Sequence, residues 1–277
     1  MPEPSLAIVI VSYNVRADLD RCLRSLAAGT APFPSRITVV DNQSSDGTLP
    51  WLREAWPEVQ AIDAGGNVGF ARGNNIGIRA TTSDLVLLLN PDTEVPPQAI
   101  AALTHALLAA PGAAIAGPRL VDADDRVELS FGPMISPWGE FRQRRLGRAY
   151  DAGRPWAVAR VHAMTRLAGS RDWVSGACLL ARRDDLEAVG LLDERFFLYT
   201  EDVDLCASVR ARGRTVLFVP DVTVRHRRGR SGATTPAATE RRRRDSQLAF
   251  YRKHHPVWAP LLGWWLRRRG HDVRYTP

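Results

Sequence analysis

Lysine is nearly missing from this chain: of 37 basic residues only Lys253 is a lysine. A GxxxxGK[ST] loop needs a lysine at a strand-to-helix turn, so a P-loop nucleotide hydrolase is excluded. Cysteine is also scarce. Cys22, Cys178 and Cys206 are odd in number, scattered through 277 residues and without ligand-like spacing. That speaks against a disulfide framework or a zinc site and for three small buried apolar side chains. No apolar run approaches the ~20 residues that span a bilayer. The opening MPEPSLAIVIVSYN has no basic stretch ahead of its short β-branched run, so a cytoplasmic protein is expected rather than one with a signal peptide.

What is present is ordinary in bulk and uneven in distribution. The chain is 45% hydrophobic and 24% charged, enough for one large domain with appendages. Against a whole-chain net charge of +7, residues 207–277 hold 17 basic and 4 acidic side chains, which leaves residues 1–206 at a net −6. A mildly acidic body thus precedes a basic tail suited to a polyanion: nucleic acid, lipid headgroup or pyrophosphate.

Apolar periodicity gives the framework. Leu6–Ser12 is a buried strand, and Arg16–Ala28 is a helix with Leu19, Cys22, Leu23 and Leu26 on one face. Further strands are expected at Ile37–Val40, Val59–Ile62, Asp84–Leu89, Ala113–Gly117 and Thr215–Val219. Helices are expected at Leu49–Ala55, Ala71–Ala80, Pro96–Ala109, from Asp184, from Asp202 to Arg212, and along Arg241–His254. Alternation at this spacing predicts an α/β fold with a doubly wound, mostly parallel sheet. Residues 122–170, rich in Arg, Gly and Pro with weak periodicity, read as a long mobile loop or insertion. Ligands in such sheets sit beyond the carboxyl ends of the strands. Ser12-Tyr13-Asn14, Asp41-Asn42 and Asn90-Pro91-Asp92 all fall there.

Two acidic groups stand out. Asp92, after a proline-stiffened turn, can offer oxygen ligands to Mg²⁺ or Mn²⁺, although an Asx turn would use the same residues. Glu201-Asp202-Val203-Asp204 follows the aromatic run Phe196-Phe197-Leu198-Tyr199. An apolar wall raises a carboxylate's pKa, as a general base requires, while acidic residues also complement a helix N-terminus. His226 lies in an arginine-rich segment and reads either as a surface histidine or as a third ligand to a metal or diphosphate. The segment Gly65–Gly77 lacks GxGxxG spacing, so a nicotinamide cofactor is disfavoured. Its glycines permit a tight turn and close helix packing, with Arg72 and Asn74 facing a nucleotide.

Taken in order, Val11–Asn14, Val39–Thr48, Asn67–Asn75, Asn90–Asp92 and Phe196–Asp204 resemble the family 2 inverting glycosyltransferases of GT-A fold, and within them the rhamnosyltransferase branch. The resemblance covers roughly residues 5–232 and implies a Rossmann-like nucleotide-binding half (1–118), an acceptor-binding and catalytic half (119–232) and a basic helical tail (233–277). It implies Ser12, Tyr13, Asn14, Asp41, Arg72, Asn74 and Asn90 at the nucleotide, and Asp92 with His226 at Mg²⁺ or Mn²⁺. It further implies Asp202, with Glu201, at catalysis, and Trp173, Ser175, Gly176 and Asp204 at the donor and acceptor sugars. Asn90 stands where many relatives have aspartate, which lowers the expected affinity for a free ion. The implied reaction moves a sugar, with dTDP-rhamnose the lead donor and a UDP-sugar the alternative, to a saccharide or polyprenyl-linked acceptor in cell-envelope polysaccharide synthesis.

Two other classes fit the sequence less well. A nucleic-acid-binding module would use Arg241–Arg244 and Arg267–Arg269 but leaves the strand-end clusters unexplained, so no nucleic acid is expected. A nucleotidyltransferase would need a basic triphosphate loop near the N-terminus, where Ser12–Arg16 offers only Arg16. The tail admits two readings: an aromatic and arginine-rich anchor on the anionic inner face of the cell membrane, or a basic tail whose tryptophans pack on protein.

Overall fold

The computed structural model describes residues 3–29, 35–227 and 236–271. The first part alternates as expected: β1 (Leu6–Ser12), α1 (Arg16–Ala27), β2 (Ser35–Asp41), α2 (Thr48–Ala55), β3 (Gln60–Asp63), α3 (Phe70–Arg79) and β4 (Leu85–Leu89). Then come β5 (Thr93–Glu94), α4 (Ala99–Leu108), β6 (Ala113–Val121) and β7 (Phe131–Gly132). Two helices, α5 (Pro137–Asp151) and α6 (Pro155–Met164), precede β8 (Gly169–Arg171), β9 (Trp173–Val174) and β10 (Cys178–Arg182). The chain closes with α7 (Arg183–Ala188), α8 (Glu201–Ala211), β11 (Thr215–His226), α9 (Pro236–His254) and α10 (Ala259–Arg268).

The main sheet runs β3-β2-β1-β4-β10-β6-β11-β5, with β8 also on β11. Pairing is parallel from β3 to β4 and between β6 and β11, whereas β10 is antiparallel to both its neighbours. Side chains alternate across the sheet. Leu6, Ile8 and Ile10 of β1 meet α1, α2 and α4 on one face, while Val9 meets α3 and α8 on the other. Each such Leu or Ile withdrawn from water contributes roughly 1.5–3 kcal/mol. The glycines of α3 let it lie flat on β1. A Cβ at Gly77 would stand 2.4 Å from Val9 Cγ1, so Gly77→Ala should cost about 1–3 kcal/mol by overpacking. The three cysteines are buried and free.

The structure corrects two sequence expectations. Residues 122–170 are largely helical rather than a loop. Ser136 caps α5 by accepting from the Gly139 amide, and Pro137 sits at its first turn. Periodicity was weak because Tyr150 is the only fully buried side chain on that helix. Second, β11 runs on to His226 instead of stopping at Val219. Pro220-Asp221 reads as a stop, but the register shifts between Val219 and Thr223, and a bulge tolerates proline. His226 is therefore the last residue of a strand, paired with Thr93, and not part of a basic loop. Residues 228–232 of that expected loop lie outside the described residues.

Among the described residues no helix is long and apolar enough to cross a membrane. In the tail, Leu248, Phe250 and Tyr251 of α9 are buried, whereas Trp258, Leu261 and Trp264 are about half exposed. α9 and one side of α10 thus pack on the protein, and the other side of α10 leaves aromatic side chains at the surface.

Candidate active site

Parallel pairing brings the ends of β1, β2 and β4 to one edge of the sheet. Because β10 runs the opposite way and pairs Cys178 with Leu89, the residues just before it arrive at that same edge. The Asn90 amide donates to the Ala177 carbonyl there (2.9 Å). β11 runs parallel to β6 and delivers His226 to the same side.

The structure brings His226, distant in sequence, beside Asp92. His226 Nε2 lies 3.4 Å from Asp92 Oδ1 and 3.3 Å from Asn90 Nδ2. Its Nδ1 lies 3.2 Å from Glu128 Oε2, an orientation that fixes the ring. Burial pulls the imidazole pKa down, but hydrogen bonds and charge from Asp92 and Glu128 outweigh it and raise it to about 9. Asp92 is 8% exposed, and the short β5 that follows is clamped by β11.

The second centre is the start of α8. Tyr199 and Thr200 adopt left-handed φ values of 71° and 75°, a local strain of the kind found at functional sites. Asp202 accepts from the Gly176 amide and from its neighbour Val203, both at 2.8 Å. Burial raises its pKa, and those two amides only partly oppose the rise. Glu201 is buried, and its pKa is pushed well up, first by burial and then by the charge of Asp202. Asp204 departs from its expected role at the sugar. Its two oxygens are engaged by Lys253 Nζ (2.8 Å) and His254 Nε2 (2.6 Å), which anchor α9.

The remaining predicted residues sort by their bonds. Ser12 and Asp41 end β1 and β2 in register, and the Asn42 amide donates to the Ser12 carbonyl. Asn14 Oδ1 accepts from the Ser45 amide (2.6 Å), tying the first two strand-end loops together. Tyr13 is half-buried beside it. Asn74 is buried and donates to the Phe70 carbonyl, while Arg72 is exposed and 3.8 Å from Glu194. Trp173 gives its indole N–H to the Pro133 carbonyl, and Ser175 Oγ accepts weakly from the Ala177 amide (3.3 Å).

One pattern runs through these positions. Ser12 Oγ, Asp41 Oδ1, Asn74 Oδ1, Asn90 Oδ1 and Glu201 Oε2 are buried oxygens without a hydrogen-bond partner among the described residues. Buried polar atoms are ordinarily satisfied. Ser12 and Asp41 end β1 and β2, Asn90 follows β4, Asn74 lies in α3 and Glu201 opens α8, so unsatisfied oxygens accompany the predicted site positions.

A family model described as "Glycosyltransferase like family 2" matches residues 2–247. The chain belongs to the family 2 glycosyltransferases. The N-acetylglucosaminyl-diphospho-decaprenol L-rhamnosyltransferase of Mycobacterium tuberculosis is 32% identical to it, over 95% of this chain and 89% of that protein. The rhamnosyltransferase WbbL of Escherichia coli K12 is 23% identical over 77% of this chain and 80% of its own length. Among solved structures, the mannosyltransferase PcManGT of Pyrobaculum calidifontis, in complex with GDP-Man and Mn²⁺, superposes with a TM-score of 0.63 at 19% identity, covering 94% of this chain and 68% of that one. The fold is thus that of the GT-A glycosyltransferases, and the chain is a glycosyltransferase.

Sequence reasoning missed Glu128 as a part of this site, and it placed Asn42 at a strand end without giving it a role. Glu128 sits in the stretch read as a loop, where nothing local signals that it supports His226. Asn42 holds the glycine segment through the Val68 amide and the Gly69 carbonyl. Its place directly after Asp41 at a strand end was the available signal. The same segment docks on the aromatic run: Phe70 N–H donates to the Phe197 carbonyl (2.7 Å), and a Cβ at Gly69 would meet that oxygen at 2.5 Å.

Proposed function

We propose that this enzyme transfers L-rhamnose from dTDP-rhamnose to a hydroxyl of a polyprenyl-diphosphate-linked saccharide, inverting the anomeric carbon, in cell-envelope polysaccharide synthesis. The observation that carries the reading is the group of unpartnered buried oxygens at Ser12, Asp41, Asn74, Asn90 and Glu201. The M. tuberculosis relative, named for rhamnosyl transfer to a diphospho-decaprenol-linked sugar, supports this donor and acceptor.

Ser12, Tyr13, Asn14, Asp41, Arg72, Asn74 and Asn90 bind the nucleotide at the strand ends. Asp202, half-buried and held by the Gly176 amide, takes the proton of the acceptor hydroxyl as the new glycosidic bond forms. Trp173, Ser175 and Gly176 line the sugar beside it. The donor set also suits a divalent ion. Asp92 and His226 stand together, and among the described residues no three acidic, histidine or cysteine side chains form a complete metal cage. Mg²⁺ and Mn²⁺ commonly take one or two protein ligands and complete their shell with diphosphate oxygens. Held by Asp92 and by His226 once its ring has released the extra proton, such an ion would supply charge neutralisation for the leaving diphosphate. The basic tail rests on the anionic inner face of the membrane, where a lipid-linked acceptor resides.

Turnover measured across dTDP-, UDP- and GDP-sugars, with and without Mn²⁺, tests the reading. The expected result is product from dTDP-rhamnose only when Mn²⁺ or Mg²⁺ is present. Faster transfer from a UDP-hexose would replace the donor, and full activity in chelator would remove the ion.

A further inference from the structure

α5 and α10 each carry an outward stripe that their folding does not use. On α5 the stripe is Trp138, Phe141, Arg145 and Arg148, all exposed and spaced three or four residues apart on one helix face. α10 buries Ala259, Gly263 and Leu266 and turns Leu261 and Trp264 outward, with Trp258 at its cap. Arg268 lies over the Trp264 ring at 4.3 Å. Phe141, Arg145 and Arg148 of the first stripe and Trp258, Leu261 and Trp264 of the second line one open groove of about 880 Å³, whose rim also carries Arg154 and Arg269, and Trp138 stacks on Phe141 beside it. Among the described residues the only acid in its wall is Glu140, already bonded to Arg144, Gln247 and Tyr251.

We propose that this face, built jointly by α5 and α10, is an interfacial site for an anionic phospholipid bilayer. Aromatic and aliphatic side chains backed by arginines are the composition that enters the headgroup boundary. Each arginine near an anionic surface adds attraction. A second copy of this chain fits poorly, since a self-complementary contact would press two arginine-rich faces together. The inference deepens the proposed lipid-linked acceptor: the insert at 137–151, and not the tail alone, holds the enzyme at the surface where that acceptor lies. It also gives residues 122–170 a function.

The test is co-sedimentation of the full chain with phosphatidylcholine vesicles, with and without phosphatidylglycerol, at low and high salt. Binding is expected only to the phosphatidylglycerol vesicles, and salt should weaken it. Trp138→Ser with Phe141→Ser, Leu261→Ser with Trp264→Ser, and Arg145→Glu with Arg148→Glu should each lower partitioning by about tenfold or more. Nucleotide binding by calorimetry should stay unchanged in all three, which shows that they fold and reads independently of the transfer reaction. No vesicle binding, or equal binding to neutral vesicles, overturns the proposal. Loss with the α10 pair but not with either α5 pair overturns the composite face. A dimer in sedimentation equilibrium that these substitutions dissolve assigns the face to a second copy and also overturns it.

Discussion

The chain buries carboxylates at two centres and treats them oppositely. Beyond β4, Asp92 and Glu128 flank the imidazole of His226, whose pKa they raise to about 9. At the start of α8, the neighbours Glu201 and Asp202 have backbone amides as their main relief, and both have raised pKa values. Asp204 is the exception there, because Lys253 and His254 reach it from α9. A buried carboxylate beside a cation is held ready to share positive charge, and one without a cation is held ready to take a proton. Under the proposed function, the first centre would serve the diphosphate and its ion, and the second would deprotonate the acceptor.

Removing the base should produce the largest effect. Asp202→Asn keeps the shape and the Gly176 contact but cannot accept a proton, so turnover should drop on the order of 10²–10⁴-fold. Donor affinity by calorimetry should be retained. Since the Asp202 carboxyl must be deprotonated to act and its pKa is raised, wild-type kcat/KM should decline on acidification before ordinary aspartates titrate. A variant with near wild-type turnover would erase the distinction between the centres.

Next in size is the exception itself. Asp204→Ala leaves Lys253 and His254 facing a buried hole, and breaking a buried ion pair costs about 3 kcal/mol. Chemical denaturation should register that loss, with α9 the first element to lose hydrogen-exchange protection. A stability change under about 0.5 kcal/mol would show that α9 is held by its apolar contacts and its bonds to Glu140 and Leu198 rather than by Asp204.

The first centre is probed through the residue behind the histidine. Glu128→Gln should lower Mn²⁺-dependent nucleotide affinity on the order of tenfold, as loss of an orienting partner does. Nucleotide affinity in chelator should change little. Equal losses with and without Mn²⁺ would make Glu128 a packing residue.

The parallel half of the fold was readable because its strands are short buried runs and its helices have one apolar face. Leu6–Ser12 and Asp84–Leu89 show this directly: every residue of β1 and β4 is buried. Positions were readable where a residue ends a strand, as Ser12 and Asp41 do, or follows one closely, as Asp92 follows β4. Reading failed where a role is set by a remote partner. Asp204 looks like its neighbours in sequence, and only α9, about fifty residues on, makes it an anchor. α5 escaped notice because its exposed aromatic face has no fold-driven period to reveal it.

Glu201→Gln should have the smallest effect and the most diagnostic sign. Glu201 is buried with Oε2 unpartnered, beside Asp202. Its folded pKa lies well above its unfolded one, so the folded state binds the extra proton. Stability from that proton is complete below the unfolded carboxyl pKa and is lost as pH rises through the folded value. At neutral pH the wild type therefore carries a penalty that the neutral glutamine lacks. The variant should be more stable by ~1 kcal/mol near pH 8, with the advantage shrinking toward zero near pH 4. Melting temperatures across that range decide the matter. A constant difference, or one that grows on acidification, would mean that Glu201 is ionised against a partner and that the two centres are built alike.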